Sequence, residues 1–170
     1  MSENLVNRVA KSGIITLDLE KYLPAKDSIS SIDLKQFLVQ EIALMEKPFR
    51  QSLEDFSTEA FTGKEVALYC SADAILPHWA YMLIAAKLSG IAEKVYFMKP
   101  EELLKLKLID EISRLNPESF ESKRVVVKGC NKPGIDAAAY IAITNKLLPV
   151  VKSLMYGEPC STVPVYKKKT

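Results

Sequence analysis

The chain has 170 residues, 48% of them hydrophobic, with 23 Lys and Arg against 21 Asp and Glu. This is enough for one domain with a sizeable core and too little for two independent ones. A net charge of +2, with three lysines gathered at Lys167, Lys168 and Lys169, weighs against a nucleic-acid-binding face and makes that run a solvated tail. No apolar stretch reaches the ~18 residues of a membrane span. The start, Met1-Ser2-Glu3-Asn4, lacks the pattern of a secretory leader, so a cytoplasmic protein is expected.

In chain order, Gly13 opens a short β-branched run through Leu19 that reads as a strand. Pro24 and Ser28 to Ser31 mark a loop. Leu34, Phe37, Leu38, Ile42 and Met45 recur at helical spacing, which predicts an amphipathic helix over 33–46 ended by Lys47-Pro48. Residues 49–63 give only a helical turn and a loop ending at Gly63.

From Lys64 the pattern becomes regular, with strand 65–70, helix 78–88, strand 94–98, helix 100–115, strand 123–129 and helix 136–154. Pro77 suits a first turn, Ser89-Gly90 a C-terminal end, and Pro100 followed by Glu101 and Glu102 a helix start. Asp136 is the expected N-cap of the last helix, and Pro149 should kink or end it. Alternating strands and helices imply βαβ crossovers and a mostly parallel sheet. The expected architecture is therefore a single three-layer α/β domain, in which a strand-helix segment 1–63 packs on a βαβαβα core 64–156. An irregular tail, 157–170, follows, and no internal repeat is visible.

Three cysteines carry most of the chemical interest. Cys70 and Cys130 each follow a strand at the point where it hands over to a helix, the place where open parallel sheets bind ligands. In a reducing compartment these thiols are buried small hydrophobes, nucleophiles or metal ligands rather than disulfides. Around Cys70 the chain packs Ser71, Asp73 and its only histidine, His78, into one loop. A helix N-terminus there would favour a Cys70 thiolate, while Asp73 also suits a turn cap, His78 a surface position and Trp79 the core. Lys128 and Lys132 flank Cys130 and suit either an anion or cofactor group or plain exposure; Gly129 would let the backbone approach a ligand. Neither GxGxxG nor GxxxxGK[ST] occurs. Cys160 lies in the tail, between Pro159 and Ser161, and bringing it to the other thiols requires the chain to cross the sheet. The cysteine spacing lacks the CxxC pairs of zinc ribbons and ferredoxins, so a metal site has to be assembled by the fold.

The stretches Cys70–Ile75 through Trp79–Met82, Lys128–Cys130 and Ser153–Pro164, with the opening Val6–Gly13, resemble the signatures of an uncharacterised bacterial family, domain of unknown function 2480. The resemblance covers essentially the whole chain and brings no established activity. All three cysteines fall within its signatures, which implies a role for them and a metal or sulfur connection, with a protein partner in iron-sulfur assembly.

Three expectations follow. The first is a zinc or iron-sulfur unit held by Cys70, Cys130 and Cys160, with Asp73 as a fourth or labilising ligand, because soft thiolates select such groups. The second is a thiol enzyme with Cys70 as nucleophile, Asp73 or His78 as proton acceptor and the amides around Ser71 and Ala72 as oxyanion site. The third is an interaction scaffold with buried cysteines. Substrate and oligomeric state are not legible in the sequence.

Overall fold

A computed structural model describes residues 13–25, 27–129, 132–158 and 160–169. The protein is α/β with mostly parallel sheets, as the strand-helix alternation implied. Its strands assort into two sheets where the sequence suggested one, and the chain groups into two compact units, residues 24–104 and residues 1–23 with 105–170.

The unit 24–104 contains strands β2 (Ile29–Asp33), β3 (Glu65–Tyr69) and β4 (Lys94–Phe97), all parallel, in the order β2-β3-β4. Helices α1 (Glu46–Glu54) and α2 (His78–Lys87) complete it. Its core gathers Ile32, Val66 and Leu68 from one sheet face, Phe49 and Leu53 from α1, and Ala80 and Ile84 from α2.

In the other unit, β1 (Ile14–Asp18), β5 (Arg124–Lys128) and β6 (Ser153–Glu158) are parallel, and β7 (Ser161–Lys167) adds antiparallel to β6. Helix α3 (Pro100–Arg114) enters this unit from the first, and α4 (Ala137–Leu147) follows β5. Leu17, Val125, Val127 and Leu154 share a face with Leu108, Ile112, Ala139 and Ile143 in its core.

Three stretches depart from the sequence reading. Residues 33–45 form no α-helix. Ile29–Asp33 pairs with β3, a 3-10 turn follows over Leu34–Phe37, and Gln40 and Glu41 adopt positive φ of 51° and 60°, which no helix tolerates. Leu34 is fully buried from that turn, while Ile42 and Met45 remain exposed. Pro48 starts a helix instead of ending one, because it lies in the first turn of α1, where a missing N–H removes no bond.

The last helix stops at Leu147, two residues before Pro149, and the chain returns as β6 beside β5. The expected irregular tail is the hairpin strand β7, with Pro164 tolerated because β7 is a sheet edge.

The two units are also copies of one pattern, a repeat that the sequence reading did not detect. From residue 47 to 97 and from 106 to 156 the chain aligns without a gap at an offset of 59 residues, matching Phe61 with Phe120, Val66 with Val125, Ala80 with Ala139, Tyr81 with Tyr140 and Ile84 with Ile143. The hydrogen bonds repeat as well. Gly63 N donates to Ile91 O at 2.8 Å and Ser122 N to Val150 O at 2.9 Å, with Gly63 and Ser122 both at positive φ. Lys87 Nζ donates to Glu54 O and Lys146 Nζ to Ser113 O, each latching a helix end.

The aromatic pairs agree too: Tyr81 meets Phe97 edge-on at 5.0 Å and Tyr140 meets Tyr156 at 5.3 Å. Upstream, Asp18-Leu19-Glu20-Lys21-Tyr22-Leu23 and Asp33-Leu34-Lys35-Gln36-Phe37-Leu38 repeat in the same way, each a strand end capping a 3-10 turn. Few identities survive because the repeat is preserved at core and capping positions, where burial sets the residue, and drifts elsewhere.

Candidate functional site

In a parallel sheet the strands end together, so the loops that leave them form one edge. In the unit 24–104 that edge carries Cys70, the residue after β3. Cys70 is half-buried against the core, and its Sγ donates to the carbonyl of Ala72 at 3.6 Å. Asp33, at the end of β2, fixes the start of this loop. Its Oδ1 accepts from the Lys35 amide at 2.9 Å, capping the 3-10 turn, and from the Ser71 amide at 3.0 Å. Partial burial opposes the Asp33 carboxylate, but hydrogen bonds from the Ser71 side chain and from the amides of Lys35 and Ser71, with the Lys35 charge, hold its pKa below the usual range.

Asp73 and His78 are exposed, and among the described residues neither is hydrogen-bonded to Cys70. Trp79 belongs to the core, 5.9 Å from Phe49. Burial first, and then the electrostatic influence of the neighbouring Cys70, push the Tyr81 hydroxyl pKa up.

A lowered folded pKa stabilises the native state above the unfolded carboxylate pKa, and that stabilisation disappears as pH falls through the folded value. Asp33→Asn should therefore cost the protein stability at neutral pH. The gap between native and Asp33→Asn urea midpoints should shrink on going from about pH 6 to about pH 3. An Asp33→Asn chain whose deficit is the same at both pH values would show that the carboxylate charge plays no part.

The corresponding edge of the other unit is denser in charge. Lys128 ends β5 with its Nζ 3.6 Å from Asp18, at the end of β1, and 3.5 Å from Glu158, at the end of β6. The charge of Glu158, then that of Asp18 and the hydrogen bonds to both, raise the Lys128 pKa, while desolvation works against them. Lys132 forms an ion pair with Glu20. Both lysines that flank Cys130 are thus already matched by carboxylates, and an anion would have to displace these.

Gly129 is enclosed: a Cβ there would lie 2.9 Å from the Tyr140 hydroxyl, which donates to the Gly129 carbonyl at 3.0 Å. Asp136 caps α4 through the Ala138 amide and pairs with Lys105 at 2.6 Å, as the N-cap reading expected. Cys130 lies outside the described residues. Cys160 is exposed in the turn between Glu158 and Ser161, which face each other across the β6–β7 hairpin. The required crossing of the sheet is made by β6 itself, which runs parallel to β5 and delivers Cys160 to the edge where β5 ends.

A groove of about 540 Å³ is also present in this unit, lined by Val127, Tyr140, Ile141, Leu154, Tyr156 and Val165 among others. Among the described residues, no three His, Cys, Asp or Glu side chains converge as a ready metal group, and no helix is long and apolar enough to cross a membrane.

Asp18, Asp33, Glu20, Glu158 and Tyr140 were not singled out from the sequence. The signal for the two aspartates was the recurring Asp-Leu-x-x-aromatic-Leu; for Glu20, Glu158 and Tyr140 none was available without the strand register.

Comparison with curated proteins and with solved structures gives no match. A family model does match, over residues 3–168, and its description is Protein of unknown function (DUF2480). Since that match spans nearly the whole chain, the protein belongs to this family.

Proposed function

We propose that the protein binds a soft transition metal or an iron-sulfur unit through its cysteines, as a cytoplasmic accessory to iron-sulfur assembly that works with a protein partner. One observation carries the reading. β5 and β6 are adjacent parallel strands with Val127 opposite Tyr156, and each leads within two residues of its end to a thiol, Lys128 to Cys130 and Glu158 to Cys160.

Two residues of chain reach at most ~7 Å, and the strand ends themselves lie within a side-chain contact of each other through Lys128 and Glu158. Two thiolates brought together from these strand ends would suit a zinc or iron centre. Cys70, also at a strand end, and exposed Asp73 belong to the unit 24–104 and are proposed as further thiol and oxygen ligands. Oxygen is a poorer partner for a soft centre than sulfur, which favours release and hence transfer over electron carriage.

The thiol-enzyme reading has less support. The Cys70 Sγ donates to the Ala72 carbonyl, and Asp73 and His78 are exposed, with no hydrogen bond to Cys70 among the described residues.

Elemental analysis with an absorption spectrum on protein purified without oxygen or chelator tests the proposal. Near-stoichiometric iron or zinc in the native chain, reduced in each of Cys70→Ser, Cys130→Ser and Cys160→Ser, is the expected result. A native chain free of both metals sinks it, and a loss confined to Cys130→Ser and Cys160→Ser would remove Cys70 and Asp73 from the ligand set.

A further inference from the structure

The internal repeat pairs β4 of one unit with β6 of the other, and the two strands differ in one respect. β6 has a neighbour on each side, β5 and the antiparallel β7; β4 has only β3 among the described residues. Met98 N donates to Leu68 O, so by the alternation of a parallel ladder the N–H and C=O groups of Val95 and Phe97 point away from β3. Their counterparts, Leu154 and Tyr156, use the same edge for β7, standing opposite Tyr166 and Val163.

The side chains agree with the backbone. Phe97 is 72% exposed, whereas its counterpart Tyr156, with Val163 across from it, is 48% exposed. The geometry points to β4 as a docking edge that accepts an extended segment of a partner protein, antiparallel, in the position β7 holds on β6.

Charge specifies that segment further. Where β6 begins and ends with Ser153 and Glu158, the corresponding residues at β4 are Lys94 and Lys99. Both are exposed, and neither has a carboxylate partner among the described residues. β7 sets Lys167 opposite Ser153, so β7 itself is a poor occupant, because its lysine would face Lys94. The fitting segment alternates apolar side chains, for Val95 and Phe97, and carries acidic residues opposite Lys94 and Lys99. The far edge of the β6 sheet is not available in the same way, since Pro164 in β7 has no N–H to offer a further strand.

The probe is a fluorescein-labelled synthetic peptide with the sequence of residues 161–167 and glutamate at both ends, with a second peptide carrying lysine at both ends as control. Against the full chain, saturable binding of the acidic peptide is expected, with slowed hydrogen exchange at the Val95 and Phe97 amides. It should weaken at least about fivefold in the Lys94→Glu, Lys99→Glu double variant, which changes only exposed side chains, and the lysine peptide should gain there. Absence of saturable binding, equal binding of both peptides, or protection elsewhere than β4 overturns the inference.

Discussion

Gly157→Ala is expected to unseat the β6–β7 hairpin and to be among the most damaging single-methyl changes in the chain. Gly157 adopts φ of +118°, outside the range that side-chain-bearing residues favour, and a Cβ there would lie 2.6 Å from the backbone oxygen of Ser161. The oxygen belongs to the paired strand, with Gly157 facing Thr162 and Glu158 facing Ser161, so relief requires the hairpin to open. Strain and lost pairing together should cost about 2–4 kcal/mol.

Gly90 is the control: its φ is +75°, and nothing lies within 4 Å of the Cβ position. Gly90→Ala therefore carries backbone strain alone and should cost about 1–2 kcal/mol. Chemical denaturation of both variants, with hydrogen exchange at the Thr162 and Val163 amides, distinguishes the two cases. Equal losses in stability and an intact hairpin in Gly157→Ala would mean that the close approach to Ser161 is not what demands glycine.

Phe49→Ala carries the largest expected effect in the unit 24–104. Phe49 is 1% exposed and meets Phe37 edge-on at 5.2 Å and Trp79 at 5.9 Å. Removing a buried ring leaves a cavity that the surrounding aromatics cannot fill, at a cost of about 3–5 kcal/mol. Because Trp79 is the sole tryptophan, its emission reports on this core alone. The repeat supplies the comparison, since Leu108 is the counterpart of Phe49 in the other core. Leu108→Ala should cost about 2–5 kcal/mol while leaving native-state tryptophan emission unchanged. A Phe49→Ala chain with native stability and native emission would contradict the packing described.

The regular half of the chain was legible because its signals were local. Val125, Val126 and Val127 read as a buried strand and are buried, and Asp136 read as an N-cap and caps α4. The N-terminal half misled for a physical reason. Leu34, Phe37 and Leu38 are apolar at helical spacing, yet the parallel partner β3 draws Ile29–Asp33 into its sheet, and a tight turn buries Leu34 without a helix. Long-range pairing overrode a short-range period.

The same cause hid β7. Ser161–Lys167 has two prolines nearby and no strong alternation, and becomes a strand because β6 stands beside it.

At the site, the strand-end position of Cys70 follows from sequence, and the position of Cys160 does not. It depends on β6, a strand that begins where a helix was expected to continue. The carboxylates around Lys128 were illegible for a similar reason. Asp18 and Glu158 are far apart in the chain and meet only through the order β1-β5-β6.

Cobalt titration of the metal-free chain, prepared under reducing conditions, tests the proposed thiolate site most directly, because thiolate-to-cobalt charge-transfer bands report the bound sulfurs. Saturation near one equivalent, with those bands diminished in each of Cys130→Ser and Cys160→Ser, is the result predicted here. Absence of charge-transfer bands, or bands unchanged when Cys130 and Cys160 are replaced, would contradict a metal centre at the ends of β5 and β6.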